Sequence, residues 1–149
     1  MTPFVTLTSC VAPLLRDNID TDTIIPSREM TSTGRTGLAD GLFAPWRYLA
    51  ERVPDPAFVL NKSAYANAQI LATGVVAQSF APIFRNNCIR NGLLPLVLAK
   101  DMIAALGGRC VTIDLPAQTI DGHAFEIDAE AKAMLVEGAN AIDLTLRHA

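Results

Sequence analysis

Short apolar segments of two kinds alternate along this chain, and this alternation constrains the fold more than any other feature. Strand-like segments occupy residues 5–12, 57–60, 69–73, 75–77, 94–99, 109–114 and 118–120. Apolar residues at helical spacing predict helices at residues 42–50, 81–91, 101–106 and 129–137. Because strands and helices are mixed in order over 149 residues, the sequence predicts a single α/β or α+β domain.

Turn and capping signals mark the ends of several of these elements. Asp121-Gly122 is the strongest hairpin signal in the chain and predicts that residues 118–120 pair with residues 123–127. Asp128 is predicted to cap the last helix and Gly138 to end it, and Gly92 lies just after a helix predicted to end at residue 91. A brief helix at residues 28–30 is predicted to be capped by Ser27.

The composition excludes several classes of protein. Half of the residues are hydrophobic, 18% are charged and the mean hydropathy is +0.29, which argues against both a disordered chain and a coiled coil. No apolar run reaches the roughly 20 residues of a membrane helix, and the amino-terminal segment does not resemble a signal peptide. A net charge of −3 without a basic patch argues against a nucleic-acid partner. The excess of apolar residues instead predicts a contact with another subunit.

The cysteines and histidines offer no recognisable chemistry at the level of sequence. Cys10, Cys88 and Cys110 are odd in number and widely spaced, which argues against a disulfide framework and against a CxxC metal site. They are predicted to be small buried core residues in a reduced cytoplasm. His123 and His148 have no Ser, Cys or acidic partner at a catalytic spacing, which predicts surface histidines.

Three segments contain residue types that suit binding or catalysis. Asp20 and Asp22 suit a cation or acid–base chemistry, but their spacing in a polar turn favours acceptors of nearby backbone N–H groups. Residues 31–41 contain three glycines and predict a loop, in which Arg35 and several hydroxyls suit either an anion or solvent. Residues 85–92 contain three asparagines, whose side chains could bind a ligand. The spacing instead favours a helix that packs on the sheet, with Asn91 near its end.

Several stretches together resemble one family. Its amino-terminal signature is similar to residues 18–26 (NIDTDTIIP), and its substrate loop and following helix are similar to residues 35–38, 42–43 and 46–49. Residues 58–61 also match, as do residues 79–88 (SFAPIFRNNC) and 91–95 (NGLLP). From these segments the chain is identified as a member of the small-subunit family of bacterial 3-isopropylmalate dehydratases, the swivelling domain of the aconitase superfamily.

The resemblance implies a three-layer β/β/α domain over residues 1–149 that caps a separate large subunit. The large subunit would hold a [4Fe-4S] cluster, and this chain would hold no metal or cofactor. The pair would convert 2-isopropylmalate to 3-isopropylmalate by dehydration and rehydration in the leucine biosynthesis of the cytoplasm. Arg35 would bind a substrate carboxylate, and Thr36, Gly37 and Leu38 would contact the isopropyl end. Alternatives are a related hydro-lyase for homocitrate, citraconate or dimethylmalate, a non-catalytic partner subunit, and a free-standing small-molecule binder.

One part of the family pattern is absent from this chain. The family has a Gly-rich loop with a catalytic serine and a substrate-binding arginine, followed by a helix, where this chain runs from Gly74 directly to Val75. The catalytic residues are therefore unknown. If residues 69–73 and 75–77 are parallel neighbours in one sheet, a wide gap is expected between Gly74 and Val75, because one peptide link does not span a strand length. A normal link would indicate a deletion and would favour the non-catalytic partner subunit.

Overall fold

In the computed structural model of the protein, the described residues are 2–14, 16, 19–30, 38–70 and 74–138. The chain divides into two compact units, of which one comprises Met1–Pro13 with Asn67–Ala149 and the other comprises Leu14–Ala66. We call the first the sheet unit and the second the turn unit, after their main secondary structure. The single swivelling domain over residues 1–149 stays a prediction.

The elements are named in chain order. The strands are β1 (Thr6–Cys10), β2 (Gly74–Ala77), β3 (Leu94–Val97), β4 (Cys110–Asp114), β5 (Thr119–Ile120) and β6 (His123–Ala124). The α-helices are α1 (Thr21–Ile24), α2 (Ala44–Arg47), α3 (Pro82–Arg90), α4 (Lys100–Leu106) and α5 (Ala129–Glu137). Short 3-10 helices lie at Ser27–Glu29, Ala39–Gly41, Ala50–Arg52, Val59–Asn61 and Ser63–Tyr65.

The larger sheet of the sheet unit is antiparallel, with the strand order β1-β4-β5-β6. Along β4, Val111 and Ile113 are buried while the hydroxyl of Thr112 meets that of Thr8 at 2.9 Å on the exposed face, as the two-residue period of a strand requires. Asp121 and Gly122 have φ angles of 50° and 82° and connect β5 to β6. The predicted hairpin is therefore confirmed, because a two-residue turn of this type needs positive φ at both positions.

The smaller sheet is a parallel pair, β2 and β3, connected by α3. Pro82 begins α3, where its missing N–H costs no hydrogen bond, and Gly92 follows the helix with a φ of 77°. Asp128 accepts the N–H of Ala131 at 2.8 Å at the start of α5, and Gly138 ends that helix with a φ of 64°. The caps and glycines predicted for these two helices are confirmed.

The apolar core of the sheet unit lies where the helices cover the two sheets. Its residues come from both sheets, from α4 and α5 and from the connecting segments: Phe4, Val11, Ile70, Leu94, Leu96, Leu98, Leu106, Val111, Ile113, Leu115, Ile120, Phe125 and Leu135. A smaller cluster of Ile89, Ala131 and Met134 packs α3 against α5. Because strands and helices together contribute the buried apolar residues of this unit, the α/β prediction is confirmed.

The turn unit departs from the sequence prediction. The helix predicted at residues 42–50 is limited to α2, because Phe43 takes a left-handed conformation with a φ of 54° and Tyr48 is extended and bridges to Pro54. The strand predicted at residues 57–60 is wrong, since Val59–Asn61 is a 3-10 helix. Ser27 begins a 3-10 helix and does not cap it. Stacked and tilted rings of Phe43, Trp46 and Phe58 form the apolar centre of this unit.

Two further predictions for the sheet unit are wrong. Gln69 and Ile70 lie in no strand, and Ile70 is helical and buried, so the strand predicted at residues 69–73 is absent from its described part. Cys10 and Cys110 face each other across β1 and β4 and form a disulfide, which sequence spacing argued against. The pairing was not predictable from spacing because 100 residues separate the two cysteines. The prediction of three buried cysteines is confirmed for Cys88, which is buried and free, and is wrong for Cys10 and Cys110, which are half-buried and exposed.

Candidate functional site

The segment that the sequence predicts to bind substrate begins and ends in the turn unit. Arg35, Thr36 and Gly37 lie outside the described residues, so their role stays a prediction. Leu38 is half-buried, and its carbonyl accepts the N–H of Gly41 at 3.1 Å at the start of a 3-10 helix. Regular structure therefore resumes within the loop predicted at residues 31–41.

The two flanks of that segment are joined by one guanidinium group. Arg52 Nη1 donates to both carboxylate oxygens of Glu29, at 3.2 and 2.9 Å, and its Nη2 donates to the carbonyl of Asp40 at 3.0 Å. Glu29 precedes the segment and Asp40 follows it. The hydrogen bond and charge of Glu29 raise the pKa of Arg52. We call Glu29, Asp40 and Arg52 the loop clamp.

Arg47 supports the same flank from α2. Its Nη1 donates to the carbonyl of Ala39 at 2.8 Å, beside the carbonyl that Arg52 holds. Asn61 fixes Arg47 in turn, accepting from its Nε at 3.2 Å and donating to its carbonyl at 2.7 Å. Arg47 lies in a segment that resembles the family, but nothing in the sequence singled out Glu29 or Arg52.

The backbone that presents Arg52 is in an unusual conformation. Glu51 and Arg52 have φ angles of 55° and 57°, a region that side chains with a Cβ atom rarely adopt. Such residues cost of order 1–3 kcal/mol each and persist where surrounding contacts impose them. Here the Arg52 guanidinium lies 4.8 Å from the centre of the Tyr48 ring, a cation–π contact. The position of Arg52 is therefore set by several contacts acting together.

Of the paired aspartates in the amino-terminal signature, Asp20 accepts a backbone hydrogen bond in the turn, as the spacing favoured. The carboxylate of Asp20 accepts the N–H of Thr23 at 2.7 Å and caps α1. A hydrogen bond with the Thr23 side chain, followed by the one from the Thr23 backbone N–H, lowers the pKa of Asp20. Asp22 is exposed in the first turn of the same helix. The prediction of a turn acceptor is confirmed for Asp20.

The asparagine-containing helix also behaves as the spacing favoured. Asn91 caps α3 and its side-chain amide donates to the Asn87 carbonyl at 2.8 Å, while Cys88 and Ile89 are buried. Beside it, α3 and α5 enclose a polar groove of about 230 Å³. Across this groove Arg85 Nη2 donates to Asp128 Oδ2 at 2.7 Å. The Arg85 hydrogen bond, followed by that from Ala131, lowers the pKa of the Asp128 carboxyl.

The described residues do not provide a metal site. Among them, no group of three or more His, Cys, Asp or Glu side chains lies close enough together to hold an ion. Cys10 and Cys110 are joined to each other, and burial raises the pKa of the Cys88 thiol to about 11. His123 is exposed on β6, and His148 lies outside the described residues. In the part of the chain that the structure describes, no helix is long and apolar enough to cross a membrane.

The junction at Gly74 and Val75 is continuous. Both residues belong to β2 and pair with the consecutive residues Leu94 and Pro95 of β3. The wide gap that was expected between them is therefore absent. That expectation assumed a strand at residues 69–73, and Ile70 is helical instead. The described residues thus contain no counterpart of the family's serine and arginine loop at this point.

The fold, together with the segments that resemble the family, defines an α/β domain of the aconitase superfamily. Residues 71–101, which include β2, α3 and β3, match the family described as the Aconitase C-terminal domain. The chain is 44% identical to the 3-isopropylmalate dehydratase small subunit of Cupriavidus necator, covering 99% of this chain and 89% of that protein. It is 40% identical to the 3-isopropylmalate dehydratase small subunit of Agrobacterium fabrum, covering all of this chain and 92% of that protein. The chain belongs to the family of 3-isopropylmalate dehydratase small subunits.

The comparison also bears on the absent loop. The alignment with the Cupriavidus protein extends over 185 residues, which exceeds the 149 residues of this chain by 36. At least that many aligned positions therefore have no residue in this chain. Such a difference is large enough to include the roughly twenty residues of a loop and crossover helix.

Proposed function

We propose that this chain is the small subunit of a two-subunit 3-isopropylmalate dehydratase of leucine biosynthesis, located in the cytoplasm. The observation that carries the proposal is the 44% identity to a small subunit of that name over 99% of the chain. With its large subunit, the chain would isomerise 2-isopropylmalate to 3-isopropylmalate by dehydration and rehydration. Both steps act on a substrate with two carboxylates, which a small subunit can help to bind and orient.

The part of this chain in that reaction is substrate recognition. Arg35 would bind a substrate carboxylate with its planar guanidinium, and Thr36, Gly37 and Leu38 would contact the isopropyl end. The loop clamp and Arg47 support this assignment, because they hold the carbonyls of Asp40 and Ala39 close to Leu38. A site that is built on fixed flanks loses less entropy when it binds its substrate.

The [4Fe-4S] cluster would be held by the large subunit, where an iron ion would polarise the departing hydroxyl. The described residues of this chain do not fit such a cluster. Iron–sulfur clusters need several thiolates, whereas Cys10 and Cys110 are in a disulfide and the Cys88 thiol is buried with a raised pKa.

A second candidate is a partner subunit that binds the large subunit without contributing to proton transfer. The continuous strand through Gly74 and Val75 favours it, because the family's catalytic serine would lie in a loop at that point. In this case the chain would retain its contacts with the large subunit, and isomerisation would be slow or absent.

Reconstitution tests both candidates. The chain is combined without oxygen with the large subunit from the same genome, and isomers formed from 2-isopropylmalate are separated by chromatography. Turnover that needs both subunits supports the dehydratase, and a stable complex without turnover supports the partner subunit. Homocitrate, citraconate and dimethylmalate are assayed in parallel, and preference for one of them would assign a related hydro-lyase. Failure to bind any large subunit would contradict both candidates.

A further inference from the structure

The Cys10–Cys110 disulfide lies on the exposed face of the larger sheet. Cys10 and Cys110 are opposite each other in the register of β1 and β4, and the next pair on the same face is Thr8 with Thr112. Cys10 is half-buried and Cys110 is exposed, whereas Val111 on the other face of β4 is buried. Because side chains alternate between the two faces of a strand, the cross-link lies on the solvent side of the sheet and away from the apolar core.

Backbone hydrogen bonds hold the two strands together on both sides of the disulfide. Beyond it, the N–H of Val11 donates to the carbonyl of Arg109 at 2.8 Å, and the N–H of Gly108 donates to the carbonyl of Val11 at 3.0 Å. At the other end of the strand pair, the N–H of Leu115 donates to the carbonyl of Val5 at 2.9 Å. Because these bonds do not involve the sulfur atoms, the two cysteines should stay opposite each other when the S–S bond is broken. Reduction of the folded chain would thus leave two thiols already positioned to pair again.

The third cysteine, Cys88, is placed very differently. It is buried within α3, and burial raises the pKa of its thiol to about 11. Because a cysteine reacts as its accessible thiolate, Cys88 should be inert in the folded chain. The exposed pair on the sheet and the buried thiol on the helix can therefore be told apart by their reactivity.

We propose that Cys10 and Cys110 form a reversible redox site that exchanges with dithiols and low-molecular-weight disulfides while the chain stays folded. Exposed disulfides are the ones that exchange readily, whereas buried structural disulfides resist reduction. For the cytoplasmic location the proposal rests on the proposed function, because disulfides that form in the cytoplasm are usually transient, catalytic or redox-sensing.

Thiol–disulfide exchange would proceed in two steps at this pair. One thiolate of a dithiol attacks the sulfur of Cys110, the more exposed residue, the S–S bond breaks, and Cys10 leaves as a thiolate that takes a proton from water. The second thiolate of the reagent attacks the mixed disulfide, releases Cys110 and closes the reagent's own disulfide, so that two electrons pass to the protein. Oxidised glutathione would reverse the change by accepting two electrons and leaving as two molecules of reduced glutathione.

Alkylation of the folded full-length chain, followed by mass spectrometry, tests the proposal. The chain purified without reductant should take up no label. After treatment with dithiothreitol it should be labelled at Cys10 and Cys110 with an unchanged circular dichroism spectrum, and after oxidised glutathione the label should be lost again. Cys88 is the internal control and should be labelled only in urea. Label at Cys10 and Cys110 before reduction, loss of the spectrum on reduction, or failure of the pair to form again would overturn the proposal.

The rate of reduction separates a site that reacts in the folded chain from a structural cross-link that reacts only after unfolding. The initial rate in dithiothreitol is measured without urea and in about 1 M urea, below the unfolding transition. A reaction of the folded chain should change less than about two-fold, whereas a reaction through global unfolding should accelerate at least about five-fold and would overturn the proposal, because urea favours the unfolded state.

Cys110→Ser is the matched variant for access to the site. Without its partner, Cys10 should be labelled in the folded chain in the absence of reductant, and an unlabelled Cys10 would also overturn the proposal. None of these measurements depends on turnover. If the reconstituted pair of subunits does not isomerise 2-isopropylmalate, the proposed function fails, while the labelling still decides whether the disulfide is a redox site.

Discussion

Replacing Asp128 should destabilise the sheet unit by an amount that its two hydrogen bonds allow us to estimate. Asp128 Oδ1 accepts the N–H of Ala131 at 2.8 Å and caps α5, and Oδ2 accepts from Arg85 of α3 at 2.7 Å. Helix α5 is firmly tied to the core, since Leu135 is fully buried and its carbonyl accepts the N–H of Phe4 at 2.8 Å. A weaker start of α5 is therefore expected to lower the free energy of unfolding.

The helix cap and the ion pair of Asp128 contribute different amounts to the free energy of unfolding. Loss of an Asp cap to Ala costs about 1 kcal/mol. The ion pair with Arg85 adds about 0.5 kcal/mol, because the side chains of Arg85 and Asp128 are 33% and 52% exposed and solvent screens them. Asp128→Ala should therefore cost about 1.5 kcal/mol. Asp128→Asn should cost about 0.5 kcal/mol, because Asn caps helices as well as Asp but carries no charge.

Urea unfolding of the chain, followed by circular dichroism, measures these differences at pH 7. Arg85→Met is the matched variant, which removes the ion pair and leaves the cap, and it should resemble Asp128→Asn. Combined with Asp128→Ala, it should cost less than the sum of the two single changes by about 0.5 kcal/mol. If Asp128→Asn were as destabilising as Asp128→Ala, the cap would not be the main contribution and the estimate would be refuted.

The dependence on pH follows from the lowered pKa of Asp128. A carboxyl whose pKa is lower in the folded state stabilises that state when it is charged in both states. The contribution is fully present above the unfolded pKa of about 4 and is lost as the pH falls through the lower folded value. The difference in stability between the wild type and Asp128→Asn should therefore be constant from pH 7 to about pH 5 and shrink below about pH 4. A difference that grows on acidification would contradict this sign.

Three further outcomes are expected. Arg35→Ala in the assembled enzyme should lower kcat/KM about 10- to 100-fold, because a charged hydrogen bond to a substrate carboxylate is lost. Its melting temperature should stay within about 1 °C of the wild type. Unchanged kinetics with a lower melting temperature would contradict the assignment of Arg35 to substrate binding. The purified chain without a large subunit should neither isomerise 2-isopropylmalate nor retain iron, as measured by product chromatography and elemental analysis. Thiol titration of the unreduced, unfolded chain should find one reactive thiol, that of Cys88, and three after reduction, whereas three before reduction would exclude the Cys10–Cys110 disulfide.

The sequence predicts the carboxyl-terminal half of the fold well because its signals are local. The Asp121-Gly122 turn needs positive φ at two adjacent residues, and an Asp cap with a closing Gly138 brackets α5 within a few turns of chain. The same holds for α3, where Pro82 and Gly92 mark the two ends. In each case the residues that determine the element lie within it or beside it.

Predictions failed where distant contacts decide the conformation. The apolar residues at 57–60 suit a strand, but no strand within the described residues pairs with them, and Phe58 is buried with its ring centre 6.2 Å from that of Phe43. The disulfide depends on the register of β1 and β4, which brings together Cys10 and Cys110 from positions 100 residues apart. Spacing along the chain contains no information on such pairs.

In the candidate site, too, local features are visible in the sequence and contacts between distant residues are not. The glycines and Arg35 of the loop stand out in the sequence, whereas Glu29 and Arg52 are ordinary charged residues until the fold places them within 2.9 Å of each other. Arg52 also lies in a left-handed conformation that no propensity favours for arginine. The residues that hold a loop are thus harder to predict than the residues that the loop carries.

The junction at Gly74 explains how the sheet unit can form without the family's catalytic loop. The need for a long connection before Val75 arises only if residues 69–73 form a strand parallel to β2. Ile70 is helical, and the parallel partner of β2 is β3, to which α3 provides the crossover that parallel strands require. Both strands of the pair thus keep their connection, and Leu94 and Leu96 of β3 stay buried. The loop can therefore be absent without exposing the core. Because the chain folds either way, its fold does not distinguish an active dehydratase from a non-catalytic partner subunit. Turnover by the reconstituted pair does distinguish them.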